Sequence, residues 1–110
     1  MRDLLDLKGA SERVYRFMLV RDGRPLSPMG GNYLYAVMDA DALKILYAGE
    51  AQNLLKDARD RWGEAVQMYG PAQIYMRLNI SERIRQTEHA DLLAALKPPM
   101  NSSEEAKKAG

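Results

Sequence analysis

The side chains most able to do chemistry fall in two places. The run GGNYLYAVMDADALKILYAGE, from Gly30 to Glu50, carries Tyr33, Tyr35 and Tyr47 on two short apolar segments. A phenol with an ordinary pKa near ~10 is a poor base at neutral pH unless a cation and hydrogen bonds lower that value. Further along, Ile80, Ile84, Leu92 and Leu96 are spaced by multiples of four, and Glu88 occupies the vacant middle place of that stripe. A carboxylate there either pairs with an arginine or opens onto a polar cleft, where its oxygens could hold a hard divalent cation. Its neighbour His89 points about 100 degrees away around a helix and reads as a surface or structural histidine.

The elements that must position these groups follow from periodicity. Residues 3–7, DLLDL, fit a short helix or an irregular lead-in. ERVYRFMLV alternates, with Tyr15, Phe17 and Leu19 on one side and Arg16 on the other, which is a strand pattern. RDGRPLSPMGG is a loop. NYLYAV and KILYA, joined by the polar MDADA, make a β-hairpin, whose commoner use for tyrosine is packing. From Gln52 the period becomes helical, with Leu54, Leu55, Ala58, Trp62, Ala65 and Val66 on one side until Gly70-Pro71. AQIYMRLNI is a further strand, and Ser81 is the expected N-cap of a helix over ERIRQTEHADLLAAL, stopped by Pro98 and Pro99. NSSEEAKKAG has the composition of a disordered or frayed tail. The order predicts a small α+β domain, an antiparallel sheet flanked by helices.

Composition sets the outer bounds. A chain of 110 residues fits one domain, and 46% hydrophobic with 28% charged residues is ordinary for a soluble globular protein. No apolar run approaches the roughly 20 residues that span a bilayer, so no membrane partner is expected. The absence of cysteine excludes disulfides and thiolate metal sites and fits an intracellular, cytoplasmic protein. The net charge of +1 is evenly spread: residues 1–24 carry six basic and four acidic groups, and residues 25–61 carry four and five. Nucleic-acid binding therefore has to rest on a site and not on bulk charge.

Taken together, residues 30–101 resemble the GIY-YIG nuclease superfamily. Gly31-Asn32-Tyr33 followed by LYAV is similar to its first motif, and Tyr47-Ala48-Gly49 to its second. Gly49 with Asn53-Leu54 is similar to its Gly-x-x-x-Asn-Leu lead into the first helix. Glu88, Leu92-Leu93 and Pro98-Pro99-Met100-Asn101 resemble its closing glutamate, apolar pair and Pro-x-x-Asn. Residues 1–29 then form an N-terminal extension with one strand, and residues 102–110 a flexible tail. The resemblance implies an endonuclease that cuts a nucleic-acid phosphodiester, DNA ahead of RNA, with Mg²⁺ or Mn²⁺. It implies Tyr33 and Tyr47 beside the attacking water, Glu88 on the metal, and Asn101 bracing the site. An arginine is implied on the phosphate, where a planar fork fits the oxygens.

The chain departs from that pattern at three places. The arginine position, eight residues past Gly49, holds Asp57, and Arg61 one helical turn on is the substitute able to reach the same cleft. Glu50 follows the motif glycine and adds negative charge where a phosphate would sit. The family spacing back from Asn101 lands on His89, while the apolar stripe favours Glu88. These departures leave a second reading open: a catalytically impaired member that binds nucleic acid or a protein partner.

Overall fold

The structure is a computed structural model that describes residues 2–21 and 23–109. Met1, Asp22 in the first loop and Gly110 at the end of the expected tail lie outside the described residues. Its elements are β1 (Leu4–Lys8), β2 (Val14–Val20), β3 (Gly31–Asp39), β4 (Ala42–Ala51), α1 (Leu54–Asp57), α2 (Trp62–Tyr69), β5 (Gln73–Leu78), α3 (Glu82–Leu96) and α4 (Pro99–Ala109). The five strands form one antiparallel sheet in the order β1-β2-β5-β3-β4. The protein is thus α+β, as its sequence predicts. Among the described residues no helix is long and apolar enough to cross a membrane.

Alternation along the strands divides the core in two. Tyr33, Tyr35 and Tyr47 face α1 and α2, where Leu54, Ala58 and Ala65 are fully buried against them. Asn32, Leu34 and Ala48 belong to the other face; there Tyr15, Phe17 and Tyr75 pack on Leu92 of α3. The hairpin strands run longer than the polar MDADA suggests, leaving Ala40-Asp41 as the turn, with Ala40 at φ 56°.

Four expectations change. DLLDL is neither a helix nor a lead-in: it is β1, paired along its length with β2, because Leu5 and Leu7 add to the α3-side core. The N-terminal extension thus supplies two strands of the sheet.

The continuous helix after Gln52 is broken into α1 and α2. The Tyr35 hydroxyl donates to the Ala58 carbonyl at 2.6 Å and accepts from the Arg61 amide at 3.2 Å, which ties the turn between them. Leu55 is consequently exposed.

The stripe on α3 is rotated. Ile80 and Ile84 are exposed, and the inward face runs through Arg85, Glu88, His89, Leu92 and Leu96. A four-residue step drifts about 40 degrees, which carries the two isoleucines off the sheet.

Finally, the expected tail is helix α4, held at its start by buried Met100 and Asn101. Tertiary anchoring outweighs the polar composition.

Candidate functional site

On the α1/α2 side the three tyrosine rings stack as a triad, with centroids 5.7 Å apart for Tyr33–Tyr35, 6.0 Å for Tyr33–Tyr47 and 5.4 Å for Tyr35–Tyr47. Tyr33 pairs in register with Gly49, and its ring lies where a Cβ at position 49 would be. Gly49 is therefore a contact surface for the ring; β4 continues past it to Ala51, so the strand does not turn there. The helix lead-in works as its residue types suggest: the Asn53 side chain accepts from the Lys56 amide at 3.1 Å, and Leu54 is fully buried.

Arg61 reaches this cluster. Its guanidinium stands 5.0 Å from the Tyr47 ring centroid. Its Nε and Nη2 both donate to Glu64, at 3.0 and 2.8 Å, and its Nη1 donates to Glu104 at 2.6 Å. Glu104 also accepts from the Tyr47 hydroxyl at 3.2 Å. A second, longer bond runs from Nη1 to the Met100 carbonyl. One cation is thus held by two carboxylates, and the fork that would grip a phosphate is filled.

Asn101 closes the open edge of the sheet. Its Oδ1 accepts from the Ala48 amide and its Nδ2 donates to the Ala48 carbonyl, both at 2.8 Å. The side-chain amide thereby stands in for a neighbouring strand beside β4, an edge that would otherwise expose unpaired backbone groups.

Glu88 lies on the other side of the sheet. Its carboxylate accepts from Arg77 Nε at 3.1 Å and from Asn79 Nδ2 at 2.9 Å. Asn79 also donates to Asn32, and Asn32 donates to the Arg85 carbonyl. Arg85, 4% exposed, pairs with Glu50 at 2.6 Å. Glu50, Arg85, Asn79, Asn32, Glu88 and Arg77 thus form one connected network between α3, β3, β4 and β5. Of the five candidate residues, Tyr33, Tyr47, Arg61 and Asn101 gather around β3, β4 and α4, and Glu88 does not join them.

His89, next to Glu88 on α3, is partly buried. Its Nδ1 is buried and makes no hydrogen bond among the described residues. Burial pushes its pKa below the ordinary 6.5, while Glu50 and Glu104 pull it back up. The Glu104 carboxylate that Tyr47 and Arg61 hydrogen-bond thus also acts on His89 through its charge, and the one-residue difference in spacing from Asn101 is the signal that singles His89 out in the sequence. Glu64, Glu104 and Arg85 carried no comparable signal, since each looks like a helix-surface charge until the chain is folded.

The electrostatics keep the phenols protonated. Burial is the largest cause that raises Tyr33, reinforced by Tyr47 and Tyr35. Burial also raises Tyr35, and it raises Tyr47 with help from the Glu104 charge. That is opposite to what a tyrosine base requires.

The donors fit a divalent metal poorly as well. Glu88, the only carboxylate the resemblance assigns to it, already satisfies Arg77 and Asn79. Among the described residues no three His, Cys, Asp or Glu side chains converge as a metal set. No protein-family model, no curated protein and no solved structure matches the chain.

Proposed function

We propose that this chain is a GIY-YIG-like domain that binds nucleic acid without cutting it. The observation that carries the reading is that the phosphate- and metal-directed side chains are each already paired within the chain: Arg61 with Glu64 and Glu104, and Glu88 with Arg77. Recruiting Arg61 to a substrate means breaking two charge-assisted contacts and leaving their carboxylates beside the phosphate, which is unfavourable on both counts.

Binding draws on cations that are not so engaged. A groove between the start of β2 and α3 is lined by Arg13, Tyr15, Ser81, Arg83, Thr87 and Glu88, with a volume of about 420 Å³. Neither arginine takes part in an ion pair within 4.0 Å among the described residues; Glu88 in the lining is already engaged by Arg77 and Asn79, and the neighbouring Asp91 by Ser11 and Tyr15, with the Arg13 charge acting on it from farther off. Two cations flanking a groove suit a backbone with regularly spaced phosphates.

The test is fluorescence anisotropy with labelled duplex and single-stranded DNA and RNA over a salt series. Affinity is expected to fall steeply with salt. Arg13→Glu/Arg83→Glu should lower the slope of log K against log salt by about 2, at about 0.9 per lost phosphate contact. Salt-independent binding, or none, would overturn the reading in favour of a protein-interaction domain.

The endonuclease reading keeps one observation in its favour, the gathering of Tyr33, Tyr47, Arg61 and Asn101 on neighbouring elements. It requires Arg61 to exchange Glu104 for substrate.

A further inference from the structure

The groove between β2 and α3 extends beyond its cationic end. Past Thr87 it opens into a second hollow of about 480 Å³, which shares Arg13, Tyr15 and Thr87 with the first and reaches Ser11 and Asp91. It follows α3 from Ser81 to Asp91, roughly 15 Å at ~1.5 Å per residue. The floor is closed: Tyr15 is 4% exposed, its hydroxyl donates to Asp91 at 2.7 Å, and the Arg77 guanidinium stands 5.5 Å from its ring centroid. Charge differs along the length. Arg83 and Ser81 belong to the first hollow, Asp91 to the second, and Arg13 lines both. Glu12 and Glu82, next in sequence to the two arginines, are exposed, and Glu82 accepts from Gln86 at 3.3 Å.

These features discriminate between forms of nucleic acid. A duplex carries one charge per ~1.7 Å of axis, about nine over 15 Å, and a single strand about half as many. Two arginines answer only a few of them, so a contact other than charge has to add to the binding. Ile84 supplies it: the side chain is 52% exposed and lines the same hollow as Arg13 and Arg83. The apolar part of a nucleotide is its base, which a duplex keeps inside its stack and a single strand presents. Ser81 adds a donor, because its Oγ accepts from the Ile84 amide at 3.4 Å and its hydrogen remains for a phosphate oxygen. The Thr87 hydroxyl donates to the Arg83 carbonyl at 2.9 Å and offers the groove an acceptor. A hollow of about 420 Å³ is the size that holds one small molecule, room for a nucleotide and not for a double helix.

Given the nucleic-acid reading, on which this step rests, we infer that the groove takes a single strand and not a duplex. One nucleotide occupies the first hollow, its phosphate reached by Arg13 from the β2 wall and by Arg83 from the α3 wall, and its base over Ile84. The strand continues along α3 past Thr87. A duplex meets the two arginines at the rim alone and leaves Ile84 and the floor of the groove without a partner.

The experiment is fluorescence anisotropy of the full chain, at one fixed salt concentration, with three labelled probes of equal length. These are an oligothymidylate, the corresponding abasic strand, and the oligothymidylate paired with oligoadenylate. The oligothymidylate is expected to bind tightest, with the duplex no tighter than the abasic strand. Ile84→Ser should weaken the oligothymidylate about five- to tenfold through loss of the base contact and leave the abasic strand unchanged. If none of the three binds, the inference falls together with the nucleic-acid reading. If the duplex or the abasic strand binds as tightly as the oligothymidylate, the single-strand inference falls alone and the broader reading stands. Wild-type affinity in the Ile84→Ser variant has the same consequence. Isoleucine-methyl NMR of the unaltered chain reads the contact without any variant: the Ile84 methyl should shift with oligothymidylate and not with the abasic strand, and a methyl that stays still with oligothymidylate overturns the inference.

Discussion

The ring of Tyr33 fills the place that any side chain at position 49 would need, so Gly49 and Tyr33 behave as a single unit across two strands. Gly49→Ala is expected to cost about 1–3 kcal/mol by overpacking, and much less in a Tyr33→Ala background where the ring is gone. Urea denaturation of the four members of that cycle measures it; equal costs in both backgrounds would refute the pairing. Asn101→Ala removes both bonds to Ala48 and should destabilise by about 2–3 kcal/mol, near 10 °C or more in Tm for a domain of this size. The buried phenols give a pH signature. Tyr33, Tyr35 and Tyr47 have folded pKa values raised above the unfolded 10.0, so their contribution is complete below pH 10 and is lost as pH rises beyond it. Absorbance at about 295 nm should show these three ionising only together with loss of near-ultraviolet dichroism. At this scale the sequence was informative about residue type and less so about role. The tyrosines and Asn101 were visible as a set, but only packing reveals that Tyr35 ties a helix turn and that Asn101 completes a strand edge.

Helix α3 is where periodicity misled. A stripe at intervals of four placed Ile80 and Ile84 inward, yet the buried face carries Arg85 and Glu88, because hydrogen-bonded charges fill the space between helix and sheet. Nothing in the sequence marks an arginine as buried until its partners on β4 and in the β5–α3 connection, Glu50, Asn79 and Ile80, are known. Glu50 thus neutralises a buried cation instead of facing a substrate. Glu50→Ala should cost about 3–5 kcal/mol by stranding Arg85, and replacing both by methionine should recover most of it. Chemical denaturation of the single and double variants checks this. His89 adds an acid-side dependence. Its folded pKa lies below 6.5, so the unfolded chain binds more protons between those two values. The stability it affects is complete above pH 6.5 and falls as pH drops through that window. A His89→Gln variant should lose that part of the slope.

For the whole molecule, the fold class was legible because strand and helix periods are well separated along the chain and Gly, Pro and Ser81 mark the boundaries. The docking of β1 and α4 was not. Both are short or polar, and their order comes from contacts distant in sequence: Leu5 and Leu7 on the α3-side core, and Asn101 on Ala48. The same assembly decides the chemistry. It brings four of the five candidate residues to one region, fills the guanidinium of Arg61 with carboxylates, and leaves Glu88 across the sheet. The most direct measurement is a cleavage assay of the full chain with Mg²⁺ and with Mn²⁺ on duplex, branched and single-stranded DNA and RNA. The expected result is binding with no product over the background of an Arg61→Ala control. Metal-dependent product that disappears in both Arg61→Ala and Glu88→Ala would contradict the account.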